Sequence, residues 1–261
     1  TPTPTPTPKP TPTPTPTPTP KPTPTPTPAP TTAPAGTAGS LAVGSASYAA
    51  PAGSIYVSPT GNDAAAGPQA APAKPSQRGV NRAPAGGTVV VRAGTYRETV
   101  TTSKAVTVQN YAKEAVWLDG SSPITGWVAD GSMWRKDGWT TRFDSSPTYT
   151  QGAKDSTAAS WGFVNPDYPM AAHPDQVFVN GASLEQVKSK SLVKAGTFYL
   201  DQATSKLYIG TNPTGKTVEA STIVKAINVR GANTTVRGIG VRRFSPSVFH
   251  MGSITVEQPG A

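Results

Sequence analysis

Short runs of β-branched and aliphatic residues, separated by glycine, asparagine and other polar residues, recur along the chain after residue 53. The clearest run is Val-Val-Val at 89–91, which Gly86 and Gly87 precede and Gly94 follows. Three consecutive valines are buried on both faces only inside a packed sheet, and Gly94 allows a sharp turn where a Cβ would clash. The pattern predicts the first rung of a parallel β-solenoid.

Similar runs predict further short strands, and one helix, on either side of a long segment that lacks this pattern. The helix is predicted within 72–83, with Ser76 as its N-cap and Val80 and Ala83 on one face, as a lid over the open end of the solenoid. The cap and first rungs therefore span 54–121, and the rungs resume over 222–261. The predicted strands lie at 54–57, 105–108, 115–118, 226–229, 234–236, 239–241 and 254–256.

Between residues 122 and 221 the solenoid pattern is lost, and tryptophan and tyrosine become frequent. Asn180-Gly181 lies between two apolar runs and predicts a hairpin turn, and the runs at 198–200 and 207–209 predict a second hairpin. We therefore expect an inserted antiparallel β subdomain. Two interpretations of the tryptophans stay open: they stack on sugar rings, or they form the core of the insert. These residues are Trp117, Trp127, Trp134, Trp139 and Trp161.

Residues 1–53 are predicted to be a disordered linker, because residues 1–34 are almost entirely threonine and proline. Proline fixes φ and removes an amide donor, so the tract should be extended at roughly 3 Å per residue. Spacers of this kind join the domains of secreted proteins. The linker thus predicts an extracellular or cell-surface location and a further module upstream.

Composition excludes several classes of protein. The chain has no cysteine, which excludes disulfides and thiolate metal sites, and it has no apolar stretch of about 18 residues, which excludes a membrane-spanning helix. The net charge of +9 favours an anionic partner. The basic residues are not interleaved with stacking aromatics, so nucleic acid is not the predicted partner. Binding to an acidic polysaccharide and ordinary solubilising charge both remain open, and a monomer is expected.

Three motifs resemble secreted bacterial right-handed parallel β-helix proteins of the pectate-lyase-like superfamily. They are Tyr-Val-Ser-Pro-Thr-Gly-Asn-Asp at 56–63, Gly-Thr-Val at 87–89 with Gly-Thr-Tyr-Arg-Glu at 94–98, and Val-Arg-Gly-Ile-Gly-Val at 236–241. The resemblance covers about 54–261 and implies an all-β, right-handed parallel β-helix. It also implies a carbohydrate substrate, bound in a groove along the flank of the central rungs. The superfamily includes lyases, glycoside hydrolases, epimerases and non-catalytic adhesins.

The catalytic residues stay unknown at this stage. Lyases of this superfamily use a lysine or arginine base and Ca²⁺ held by acidic residues, but no Asp-Asp or Asp-x-Asp pair occurs in the chain. No metal site or cofactor is therefore predicted, and calcium is expected only if the full-length protein supplies the acids. Glycosidases need two facing carboxyl groups, whereas Glu257 is the sole acid of residues 222–261. The catalytic residues are expected downstream.

Three residues are predicted to bind substrate. Arg242 and Arg243 follow a predicted strand, and guanidinium groups form two parallel hydrogen bonds to a uronate carboxylate. His250 is the third, because imidazole can act as a base near neutral pH. The alternatives are an arginine that solubilises a turn and, for His250 as for His173, an ordinary surface histidine.

The sequence thus predicts part of a secreted carbohydrate-active protein. The first hypothesis is a polysaccharide lyase or glycoside hydrolase that acts on an acidic polysaccharide. The second is a non-catalytic β-solenoid adhesin or glycan-binding surface protein. Whether the chain is an enzyme is left open.

Overall fold

The computed structural model describes residues 41–62, 64, 67–74, 76–153 and 162–257. Most of the predicted linker, residues 1–40, lies outside the described residues. The regular structure of the described part is nearly all strand, as predicted, with one α-helix, α1 (Ser76–Arg82), and two 3-10 turns at Lys190–Leu192 and Val248–His250. None of its helices has the length and apolar character needed to cross a membrane.

Six short strands precede the inserted region. They are β1 (Ile55–Val57), β2 (Gly87–Val91), β3 (Gly94–Tyr96), β4 (Val100–Thr102), β5 (Val106–Asn110) and β6 (Val116–Asp119). Nine strands form the insert: β7 (Ser121–Pro123), β8 (Val128–Asp130), β9 (Met133–Asp137), β10 (Val177–Val179), β11 (Ala182–Ser183), β12 (Glu185–Gln186), β13 (Thr197–Asp201), β14 (Lys206–Ile209) and β15 (Val218–Ser221). Four more follow: β16 (Ile227–Val229), β17 (Thr235–Arg237), β18 (Gly240–Arg242) and β19 (Ile254–Val256).

The strands outside the insert form three sheets in which every pairing is parallel, and we call them the parallel segment. The sheet orders are β1-β2-β5-β17, β3-β6-β18 and β4-β16-β19. The chain enters these sheets in a fixed rotation, from β2 to β3 to β4 and back to β5 beside β2. After the insert it resumes with β16 beside β4, so the insert interrupts the rotation without changing its order.

Aliphatic side chains from all three sheets share one core. Val89 pairs in register with Val108 and Val108 with Val236, so valines stack from strand to strand. The three valines at 89–91 are all buried, as predicted. This core also contains Val57, Val100, Val106, Val116, Leu118 and Ile227.

Residues 41–53, which the sequence analysis assigns to the linker, lie against the parallel segment. The buried side chain of Asn110 donates from Nδ2 to the carbonyl of Ala46 at 3.0 Å, and Gln109 donates from Nε2 to the carbonyl of Ala49 at 2.9 Å. The guanidinium carbon of Arg237 lies 4.2 Å from the centre of the Tyr48 ring. The packed region therefore begins before residue 54.

The predicted cap helix is present as α1, but Ser76 does not cap it. The carboxylate of Glu98 accepts hydrogen bonds from the backbone amides of Ser76 and Gln77 at 2.9 and 3.3 Å. The hydroxyl of Ser76 is buried without a hydrogen-bond partner among the described residues. Gly79 allows close packing, because a Cβ there would lie 2.5 Å from Cγ1 of Val57.

The insert folds into two sheets, with strand orders β11-β10-β15-β7 and β12-β13-β14-β9-β8. Its pairings are antiparallel except for β12 with β13. Both predicted hairpins are present, and Asn180 and Gly181 take φ values of 49° and 83° at the first turn. The second core contains Trp139 and Phe198, with Trp127 and Trp134 packed against it. These three tryptophans thus support the core interpretation, while Trp161 lies outside the described residues.

Candidate functional site

Arg242 and Arg243, two of the predicted substrate-binding residues, lie where the insert joins the parallel segment. Arg242 donates from Nε to Oδ2 of Asp119 at 2.7 Å, and its guanidinium carbon lies 4.7 Å from the Trp117 ring centre. Arg243 donates from Nη1 to Oε2 of Glu219, whose Oε1 accepts from Arg97 at 2.7 Å. We call Arg97, Asp119, Glu219, Arg242 and Arg243 the junction cluster.

Asp119 is the fully buried member of the junction cluster. Its Oδ1 accepts hydrogen bonds from the backbone amide and the hydroxyl of Ser121 at 2.9 and 2.6 Å. Burial alone would raise the pKa of Asp119, but the bonds from Ser121 and Arg242 outweigh it and hold the pKa below its ordinary value. Asp119 is therefore ionised at neutral pH, and the arginine donors of the cluster bind carboxylates of the protein itself.

His250, the third predicted residue, lies apart from the junction cluster in the 3-10 turn at Val248–His250. Its Nδ1 is 2.8 Å from the Ser247 hydroxyl, which donates to Oδ2 of Asp144 at 2.7 Å. Burial lowers the pKa of His250, and nearby Lys225 lowers it further. In a hydrolase triad the imidazole lies between serine and carboxylate, whereas here the serine lies between them. The arrangement organises the turn.

A cleft on the insert brings together residues that the sequence analysis does not select. Its volume is about 750 Å³, and the segments 166–171 and 183–188 form much of its wall. The Tyr168 side chain is exposed, and Asp175 and Gln186 are half-buried. We call this site the Tyr168 cleft. Two prolines beside Tyr168 signal a loop, but nothing local indicates that it faces strand β12.

Two titratable groups of the Tyr168 cleft have shifted pKa values. Burial raises the pKa of Asp175 to about 6, although hydrogen bonds from its own backbone amide and from Gln186 favour the charged form. Burial lowers the pKa of His173, which keeps its imidazole neutral at neutral pH. A carboxyl group that titrates near 6 is unusual outside functional sites. The cleft is therefore the strongest candidate site in the described residues.

A second hollow adjoins the Tyr168 cleft. It has a volume of about 490 Å³ and shares Pro166, Pro169 and His173 with the cleft, and it reaches Asp144. His173 thus lies between two concave surfaces and is not an isolated surface histidine. Within the described ranges, no group of three or more histidine, cysteine, aspartate or glutamate side chains could hold a metal ion.

Comparison with known proteins shows similarity in structure alone. No family model matches the chain. No curated protein sequence matches it either. A solved structure described as "The complex structure of XylC with xylose" is similar with a TM-score of 0.57 and 20% identity, over 74% of this chain and 36% of that chain. A second, described as "Glycoside hydrolase", has a TM-score of 0.45 and 16% identity, over 73% and 50%. The first similarity shows a shared fold, and the chain spans about a third of that protein.

Proposed function

We propose that the chain is part of a secreted carbohydrate-active protein whose parallel segment is the start of a right-handed parallel β-helix. The rotation of short strands through three parallel sheets supports this architecture. The fold likeness to a protein solved with xylose supports a carbohydrate role. The observation that carries the proposal is the Tyr168 cleft, because an exposed ring beside buried hydrogen-bonding groups suits the apolar faces and hydroxyls of a sugar.

The proposed reaction is cleavage of a polysaccharide by a lyase or glycoside hydrolase mechanism, with catalytic residues outside these 261 residues. The net charge of the whole chain favours an acidic polymer that contacts surfaces other than the Tyr168 cleft, whose lining holds three acids and one lysine. Neither Asp119 nor Glu257 suits a catalytic acid: Asp119 is held by Arg242, and Lys225, Thr255 and Arg230 lower the pKa of Glu257 to about 2. A general acid needs a pKa near the working pH.

The second candidate is a non-catalytic adhesin or glycan-binding surface protein. The same pairing of Asp119 and Glu257 with basic groups favours it, because a scaffold needs no free carboxylate. The two candidates agree on carbohydrate as partner and differ on whether a bond is broken.

The test incubates the longest available protein containing the chain with polygalacturonate, other uronate polymers and xylan, with and without a chelator. New unsaturated ends indicate a lyase, and new reducing ends without them indicate a hydrolase. We expect products from the whole protein and none from residues 41–261 alone. Polymer binding without products would favour the second candidate, and neither binding nor products would overturn the carbohydrate proposal. Loss of products with chelator would assign a calcium requirement.

A further inference from the structure

We propose that the Tyr168 cleft binds an uncharged sugar residue and selects against uronates. The inference rests on the proposed carbohydrate function and adds the class of sugar that this cleft binds. It depends on three features of the described residues: an aromatic surface, a hydrogen-bond acceptor without a partner, and more carboxylates than basic groups.

The aromatic surface is the ring of Tyr168. Its side chain is 69% exposed at the edge of the cleft, so its ring is open to a ligand. The buried Phe198 forms part of the cleft wall and belongs to the core of the insert, which makes that wall rigid. The cleft therefore offers a sugar ring an open aromatic surface at Tyr168 and a rigid wall at Phe198.

The unmet acceptor is Oε1 of Gln186. This atom is buried and has no hydrogen-bond donor within the described residues. Buried polar atoms without partners are rare. Because this atom lies behind the cleft wall, a ligand donor reaches it only when the Gln186 side chain turns toward the cleft. Sugar hydroxyls are such donors. The neighbouring carboxyl of Asp175 adds acceptor oxygens on the same side of the cleft.

The charges of the cleft oppose an anionic ligand. Asp167, Asp175 and Glu185 line it, and Lys188 is the one lysine or arginine among the described lining residues. Arg142 acts on Asp175 through space and keeps its positive charge, but it is not one of the residues that line the cleft. Its guanidinium donates to the carbonyls of Trp139 and Gln202 at 2.8 Å. A uronate carboxylate would meet like charge on the largely desolvated Asp175 and on the exposed Asp167 and Glu185, which is unfavourable.

The charge of the cleft is opposite in sign to the charge of the whole chain. Basic residues of the parallel segment are paired there: Arg92 with Glu114, and Lys225 and Arg230 with Glu257. Positive charge held in such pairs does not offset the acids of the cleft. The net charge of +9 therefore gives no guide to what this site binds.

The test measures binding to the 261-residue chain by calorimetry at pH 7. The probes are xylotetraose, tetragalacturonate and the methyl ester of tetragalacturonate, which has the same backbone without the charge. We expect xylotetraose to bind, and Tyr168→Ala to weaken its binding about tenfold because the stacking surface is lost. Tyr149→Ala, at a tyrosine that is also exposed but lies outside the cleft, is the matched control and should leave binding unchanged.

A second set of binding measurements tests the effect of ligand charge. Tetragalacturonate should bind about tenfold more weakly than its methyl ester, because like charges repel in the cleft. Asp175→Asn, which keeps the shape of the side chain, should narrow that ratio. Equal or tighter binding of the free acid, or unchanged xylotetraose binding in Tyr168→Ala, would overturn the inference. Either result would leave the proposed function untouched, because the polymer assay tests that function separately. Binding of xylotetraose without polymer products would overturn the enzyme proposal and leave the assignment of the cleft in place.

Discussion

The parallel segment and the insert differ in the sequence separation of the strands that pair in their sheets. In the insert, hairpins such as β10-β11 and β13-β14 pair residues close in sequence. In the parallel segment, β5 pairs with β17, where Arg237 donates to Gln109 across 128 sequence positions. The two hairpins of the insert can therefore form locally, although its β7-β15 and β9-β14 pairings join residues far apart in sequence. The later strands of the parallel segment need the whole insert to bring them back.

The two regions also differ in how their cores are filled. The core of the parallel segment is mostly valine, leucine and isoleucine on strands of three to five residues. The aromatic residues of that core are Tyr96 and Phe244, whereas those of the insert core are Trp139 and Phe198, with Trp127 and Trp134 packed against it. Tryptophan, the ring that covers the most area, therefore belongs to the core of the insert. Contacts at the junction cluster connect the two regions.

The largest expected effect is on the insert core. Phe198→Ala should cost about 3–5 kcal/mol in free energy of unfolding, because it leaves a large cavity where the side chain is buried. Hydrogen exchange should become faster in β13 and β14 while β2 and β5 stay protected. Val116→Ala, in the other core, is the matched variant and should reverse that pattern. Equal loss of protection in all four strands would show one cooperative core.

The second effect tests the junction cluster. Asp119→Ala should cost about 3 kcal/mol in free energy of unfolding, because it leaves Arg242 and the Ser121 amide without their acceptor. Since the pKa of Asp119 is lowered in the fold, its contribution is present above the ordinary pKa of an aspartate and is lost as the pH falls below it. Denaturant titrations at pH 7 and pH 3 measure both points.

The control for the junction experiment is Asp119→Asn. It keeps an acceptor for Ser121 and removes the charge, so its cost should be smaller than that of the alanine variant. A cost near zero for Asp119→Ala would mean that the pairing of β7 with β15 holds the insert in place without the cluster.

Most strands of the parallel segment and both hairpins of the insert could be predicted from local pattern. The other strands of the insert, and contacts distant in sequence, could not. The run at 89–91 and the turn at Asn180 carry their signals within a few residues. Strand β4 (Val100–Thr102) has only one aliphatic residue, so its pattern is too weak to detect. The cap of α1 comes from Glu98, in another part of the chain, because tertiary packing overrides the local preference for Ser76.

The candidate site was harder to predict than the fold, for the same reason. Asp175 and Gln186 lie just outside the two ends of the β10-β11 hairpin, where the Leu184 amide donates to the Val177 carbonyl at 2.8 Å. The hairpin turn is visible in the sequence, but the cleft that these two residues line is not. Arg242 and Arg243 are predicted to bind a uronate carboxylate, and the structure pairs them with Asp119 and Glu219 of the chain itself. The pKa of Asp175 depends on burial, which sequence does not display.

The third prediction concerns Asp175, a carboxyl group of the insert that is buried without the arginine partner that Asp119 has at the junction. Asp175→Asn should raise the free energy of unfolding at pH 7 by about 1–2 kcal/mol, because burial raises the pKa of Asp175 to about 6 and penalises the charged form. The sign follows from the raised pKa: the native carboxyl is most stable when protonated, so the gain should vanish near pH 4 and grow as the pH rises to 6. Asp167→Asn, an exposed cleft residue, should show no such pH-dependent gain.

The smallest expected effect concerns Glu257 at the edge strand β19. Its pKa falls to about 2 through hydrogen bonds from Lys225, Thr255 and Arg230, so any contribution to stability would be present above an ordinary glutamate pKa and lost as the pH falls toward 2. These side chains are partly open to water, which screens their attraction. Glu257→Gln should therefore leave the Tm within measurement error, although NMR titration should find the carboxyl midpoint near 2. A Tm loss as large as that of Asp119→Ala would mean that an exposed ion pair stabilises this protein as much as a buried one does. It would also mean that the charges at Glu257 hold β19 on the sheet.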